Sequence, residues 1–291
     1  VCSIGGVPIR IHALLPLVAG MAALSAAAAG AGTLGILMAV IVSGPLLLLT
    51  VLIHEFGHIT AARRCGFKPD HVLLWPLGGL AYISKDGITP KEQVFVSSMG
   101  PATHLPMLAI WAVILVATND GRITLSTSGM WYDSHFVPLI CIAMLTNNIA
   151  MLVFNLFVPC IPLDCSQILV SLLLMCGYEA NFAAKVMVGV SVPVVLLLLA
   201  WGAYMFITGG ATASMSLVLA LWLGLQTYRL HQARLSGQLA TLPPFDHAPR
   251  PAPAEASSAP AGGGGFRPFG GSGHVLGRPA GEASEVCAGS L

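Results

Sequence analysis

The sequence predicts an all-α polytopic membrane protein with about six transmembrane helices and a membrane-inserted β-hairpin between the second and third. Three observations predict it. Hydrophobic residues make up 56% of the 291 and charged residues only 9%, whereas a soluble domain carries about 25% charged. Six apolar runs approach or exceed the roughly 20 residues that a spanning helix needs. The positive residues gather on one side of the layout that those six runs imply.

The runs are Ala13–Ala29, Thr33–Ala62, Gln93–Ala117, Phe136–Val158, Lys185–Ile207 and Ala211–Tyr228. The fourth is broken by Pro159 and Pro162 and continues through Leu163–Cys176. Gly209 and Gly210 predict a tight turn between the last two. The chain begins with Val1, which leaves room for an upstream segment carrying any targeting peptide. The run after His12 lacks a basic leader and is soon followed by another long one, so it reads as a first span and not as a cleaved signal.

Six spans put Arg10, Arg63, Arg64, Lys68, Lys85, Lys91, Lys185, Arg229 and Arg234 on one side and only Arg122 on the other. Positive residues favour the cytoplasmic face or its equivalent. The formal net charge of +1 supplies no field that would attract nucleic acid. The seven cysteines form no CxxC pair and sit mostly in apolar runs, so they read as small hydrophobes and not as a disulfide framework. After residue 235 Pro, Gly, Ala and Ser dominate, including Gly262–Gly265. The expected organisation is a transmembrane domain over 1–235 and a disordered tail over 236–291.

Residues 71–83, HVLLWPLGGLAYI, are apolar but too short to span. Pro76, Gly78 and Gly79 disfavour a helix there. Two short strands around a turn, dipping into the membrane from the positive side, fit the pattern. Strand edges cannot face lipid, so such a hairpin must pack on protein. A simple re-entrant loop is the alternative.

The second run ends in Leu52-Ile53-His54-Glu55-Phe56-Gly57-His58, an HExxH pattern on a predicted helix. His54 and His58 are one turn apart and share a face, so both imidazoles can bind one zinc. Glu55 beside them can take a proton from zinc-bound water. Only two acidic residues lie deep within apolar segments, Glu55 and Asp164. A carboxylate buried in a membrane is a functional candidate, and the natural partner for Asp164 is a metal. Two His and one carboxylate leave a fourth zinc position for water. A helix N-cap after Pro162 is the competing explanation for Asp164.

HEFGH at the end of an apolar helix, followed by Asn155-Leu156-Phe157-Val158-Pro159-Cys160-Ile161-Pro162-Leu163-Asp164, resembles the site-2 protease family of intramembrane metalloproteases. Val7-Pro8-Ile9-Arg10-Ile11-His12 is similar to that family's approach to its first helix, Trp75–Leu80 to its membrane-inserted hairpin, and Gly100-Pro101-Ala102-Thr103 to a turn in its third span. The resemblance covers roughly residues 5–235. It implies one zinc per chain held by His54, His58 and Asp164, with Glu55 as general base. It also implies that Asn155 steadies the substrate carbonyl or the developing oxyanion, a role that suits an amide donor. An interhelical hydrogen bond is the other reading of Asn155.

Two positions depart from the family pattern. Cys165 and Ser166 stand where the family has glycine after the aspartate, and Cys165 offers a competing thiolate. His104 stands where the family has Asn; it either touches substrate or the metal's surroundings, or bonds across helices.

The expected activity is cleavage of membrane proteins within or near their transmembrane segments, in contact with the bilayer. The substrate has to unwind into an extended strand, and the hairpin around Gly78 and Gly79 can hold it by edge pairing. An inactive relative that only binds membrane proteins, and a membrane metal transporter, are the alternatives.

Overall fold

Val7, Ile9 and Ile11 alternate with Pro8 and Arg10, a period-two pattern that suits a strand. In the computed structural model, which describes residues 2–84, 87–121, 132–208, 213–242 and 245, the chain opens with two strands. β1 (Cys2–Ile4) turns through Gly5 and Gly6, both at positive φ, into antiparallel β2 (Val7–Ile11). β2 pairs in parallel with β3 (Lys68–Trp75), which pairs antiparallel with β4 (Gly78–Ser84).

The expected hairpin is present, with Pro76 and Leu77 at its turn, but it is not alone. It is half of a four-stranded sheet in the order β1-β2-β3-β4, which corrects the all-α reading. An isolated hairpin leaves both of its edges unpaired. Here β2 covers the edge of β3, and among the described residues no strand pairs with the outer edge of β4. Val7, Ile9, Val72 and Leu74 form one apolar face, which packs on Val51 and Ile59.

Helix α1 (Leu15–Ala28) has 14 residues, about 21 Å of rise. α2 (Gly32–Ile41) runs through a π-helical stretch at Val42–Leu46 into α3 (Leu47–Arg64). Pro45 lies inside that stretch. It has no N–H to give, so the regular ladder is interrupted there and the helix widens. α4 (Pro90–Ala102) and α5 (His104–Thr118) follow each other around Thr103. α4 starts on a capping box: the Thr89 side chain accepts from the Glu92 amide, and Glu92 accepts from the Thr89 amide. The expected start at Gln93 was late because these capping residues are polar.

α6 (Tyr132–Phe157) leads through a short connection to α7 (Asp164–Met175), then to α8 (Ala180–Ile207) and α9 (Ala213–Leu235). Among the described residues, four stretches are long and apolar enough to cross a membrane: Gly32–Arg64, Pro90–Thr118, His135–Phe157 and Ala180–Ile207. Of the six expected spans, α1 is a shorter apolar helix; α7, the expected continuation of the fourth run, is another. α9 has 23 residues and ends among Arg229 and Arg234. Leu105, Ile110 and Val113 of α5 and Leu196, Leu197 and Trp201 of α8 are exposed. Apolar surface on this scale is what lipid covers.

The boundary expected after residue 235 is followed by a 3-10 turn at Leu239–Thr241, and Phe245 is buried against Val170, Ala183 and Met187. The remainder of the expected tail, 246–291, lies outside the described residues, as do Lys85, Arg122 and the turn at Gly209 and Gly210.

Candidate metal centre and active site

α3 carries His54, Glu55 and His58, all buried. The one-turn spacing brings the two histidine Nε2 atoms to 3.2 Å from each other. Asp164, the first residue of α7, brings Oδ2 to 3.1 Å from His54 Nε2 and Oδ1 to 3.2 Å from His58 Nε2. It caps nothing: the N-cap position is Leu163, and no side chain caps that helix. Asp164 Oδ2 is buried without a hydrogen bond. The carboxylate is thus turned to the histidines and not to the free amides of its own helix.

Among the described residues, His54, His58 and Asp164 form a group that can hold a metal ion. The spacing fits. A tetrahedral zinc with bonds of about 2.0–2.1 Å holds its ligands about 3.3–3.4 Å apart. Three buried lone-pair atoms, one of them orphaned, are costly together unless a cation joins them. Cys165 is not in the group. It has ordinary helical backbone, so the glycine of the family pattern is not needed to make this turn.

Three glycines let the elements close on this centre. A Cβ at Gly100 of α4 would overlap the His58 ring and lie 2.9 Å from His54 Nε2. One at Gly57 would strike the Met99 carbonyl, so α3 and α4 cross backbone to backbone. One at Gly79 would lie 2.5–2.8 Å from the Glu55 side chain. Glu55 therefore rests on strand β4, beside the Ala81 amide.

A cavity of about 630 Å³ opens beside these groups. The three metal-ligating candidates, Glu55, Gly78, Gly79 and Asn155 all line it. Among the described residues the Asn155 side chain has no hydrogen-bond partner within the protein. Leu80–Ile83 of β4 border the same cavity, along the sheet's free edge. A second cavity of about 660 Å³ lies across the hairpin turn, sharing Trp75, Leu77 and Gly78.

Of the readings open for His104, the structure shows a bond across helices, beside the candidate metal group. His104 is 0% exposed and does not line the cavity. Its Nε2 lies 3.1 Å from His54 Nδ1, on the side of the ring away from Asp164. Its Nδ1 lies 2.9 Å from Asn148 Oδ1. Sequence reasoning missed Asn148. It also missed a polar link from α4 to α7, in which Gln93 Nε2 donates to Ser97 Oγ at 2.9 Å and to Gln167 Oε1. The available signal was a polar residue inside an apolar run, counted regardless of charge.

Residues 45–128 match the sequence model of Peptidase family M50. Rip3 of Mycobacterium tuberculosis is 28% identical over 203 residues, covering 66% of this chain and 46% of its own length. A zinc metalloprotease of Methanocaldococcus jannaschii is 28% identical over 155 residues, covering 53% of this chain and 41% of the relative. The chain thus spans less than half the length of these curated relatives. The solved site-2 protease from Methanocaldococcus jannaschii shares the fold, with a TM-score of 0.52 at 20% identity, over 79% of this chain and 93% of that one. The chain thus resembles Peptidase family M50 in sequence over residues 45–128, and it shares its fold with a solved site-2 protease.

Proposed function

We propose that this chain is a zinc metalloendopeptidase that cuts membrane proteins within or beside their transmembrane segments. The observation that carries the reading is the convergence of His54, His58 and Asp164 with Glu55 in one cavity bordered by a free strand edge. The resemblance to enzymes named zinc metalloproteases supports it.

Zinc held by the two imidazoles and Asp164 would supply an acidified water and polarise a carbonyl. Glu55 would accept a proton from the attacking water and hand it to the leaving amine. The close approach of Gly79 limits where that carboxylate can sit, and the Ala81 amide would face it. Asn155, with a free amide in the cavity, would donate to the oxygen that gains charge. The outer edge of β4 would take an unwound substrate segment as an added strand, holding its carbonyls in reach. A helical carbonyl is already hydrogen-bonded, so substrates would carry helix-destabilising residues near the cut.

The site would open toward the positive side of the membrane. Arg63 and Arg64 end α3 just over one turn beyond His58, which suits a cytoplasmic or equivalent face. The membrane domain would run to the buried Phe245, ten residues past the expected boundary at 235, and the residues beyond it would take no part in catalysis.

The test is reconstitution of the chain in vesicles with a single-span substrate that carries helix-breaking residues. Cleavage is expected, lost with a chelator and regained with zinc. Replacing the helix breakers by leucine should slow it. Metal movement across the vesicle with substrate intact would instead indicate a transporter. Substrate bound but uncut by zinc-loaded protein would indicate a binding protein.

A further inference from the structure

The two histidines of the metal group are held differently at their outer nitrogens. His58 Nδ1–H donates to the main-chain carbonyl of Val96 at 2.8 Å. No side-chain substitution removes that partner. His54 is held only through side chains, and those lead away from the cavity: His54 Nδ1 to His104 Nε2 at 3.1 Å, then His104 Nδ1 to Asn148 Oδ1 at 2.9 Å. Asn148 Nδ2 donates to the Met144 carbonyl at 2.8 Å. His104 and Asn148 are both fully buried.

The far end of this chain sets the direction of every bond in it. A carbonyl only accepts, so Asn148 must turn its amide nitrogen to Met144 and its oxygen to His104. That oxygen only accepts, so His104 Nδ1 carries the hydrogen. A neutral imidazole protonated at Nδ1 has its lone pair at Nε2. This lone pair faces His54 Nδ1, which must therefore donate. His54 Nε2 is left as a lone pair, and it points at Asp164 and His58.

We propose that His104 and Asn148 are positioning residues, a buried relay that locks His54 in the tautomer and orientation a metal requires. The inference rests on the reading of His54 as a metal ligand and deepens it. In the opposite tautomer an N–H would point into the ligand group, and metal binding would first have to displace that proton. Partners of this kind commonly contribute 10- to 100-fold in metal affinity, so about that loss is expected when the relay is cut.

The test uses the full chain in detergent micelles. In metal-free protein labelled with 15N-histidine, ring nitrogen–carbon-proton correlations distinguish the tautomers, with His54 assigned by the signal lost in His54→Gln. The relay predicts hydrogen on Nδ1 of His54 in the wild type and a mixture of tautomers in Asn148→Leu. Zinc affinity, read by competition with a chelator, should fall about 10- to 100-fold in His104→Leu. It should largely return in His104→Gln, whose amide oxygen lies near the position of Nε2 and can accept from His54. A packing role alone would make Leu and Gln alike. Equal affinities in those two variants, or hydrogen on Nε2 of His54 in the wild type, would overturn the proposal. The predicted tautomer in a wild type that fails to bind zinc would uphold the relay and contradict the metal site.

Discussion

Two imidazole lone pairs and a carboxylate meet within 3.2 Å in a buried place, and that meeting depends on what is missing at position 100. Gly100 belongs to this group only through its lack of a side chain. Adding one methyl forces either the His58 ring or helix α4 to move. Gly100→Ala is expected to lower zinc affinity and to cost about 1–3 kcal/mol of stability, the usual range for overpacking. Chelator competition and thermal unfolding would measure the two. Glu55, His54 and His58 were legible because HExxH needs only helical spacing, which sequence carries. Asp164 was legible as one of two acids in apolar sequence. His104 and Asn148 were not legible as a pair. Their meeting depends on how α5 and α6 rotate against each other, which no local pattern records.

The strand edge is where elements meet chemistry. β4 is an outer strand, and the Ala81 amide turns to Glu55. An edge position tolerates proline better than a central one, since no ladder bond is lost on that side. Ala81→Pro should therefore leave zinc binding intact and slow cleavage by about tenfold, the worth of one charge-assisted hydrogen bond. Unchanged cleavage in a vesicle assay would remove Ala81 from the mechanism. The hairpin could be read from its Pro and Gly residues, but its membership of a four-stranded sheet was not. The V-x-I-x-I alternation at 7–11 was visible, yet its partner strand begins some 60 residues later at Lys68. Pairing across that distance is tertiary information. The start of α4 shows the opposite case: Thr89 and Glu92 spelled out a cap locally, and a search for apolar runs passed over it.

At the scale of the molecule, composition alone identified lipid as the main solvent, and four long apolar helices accord with it. Of the six expected spans, four are long and apolar enough among the described residues; apolar content does not fix helix length, and α1 stops after 14 residues. The far end of the chain divides at Phe245. That ring is buried against α7 and α8, so Phe245→Ala should cost about 3–5 kcal/mol, as for other buried aromatics. Removing residues 246–291 should leave the melting temperature unchanged. A truncation that melts as early as Phe245→Ala would show that the tail contributes to the fold.

The central claim, a zinc-dependent peptidase within a membrane, turns on Glu55. The most direct measurement is zinc content and substrate cleavage in purified wild type beside Glu55→Gln, both reconstituted with the same single-span substrate. The account predicts one zinc per chain in each and a fall in cleavage of about 10²- to 10⁴-fold in the variant, the usual contribution of a general base. Equal cleavage by the two zinc-loaded proteins would contradict it.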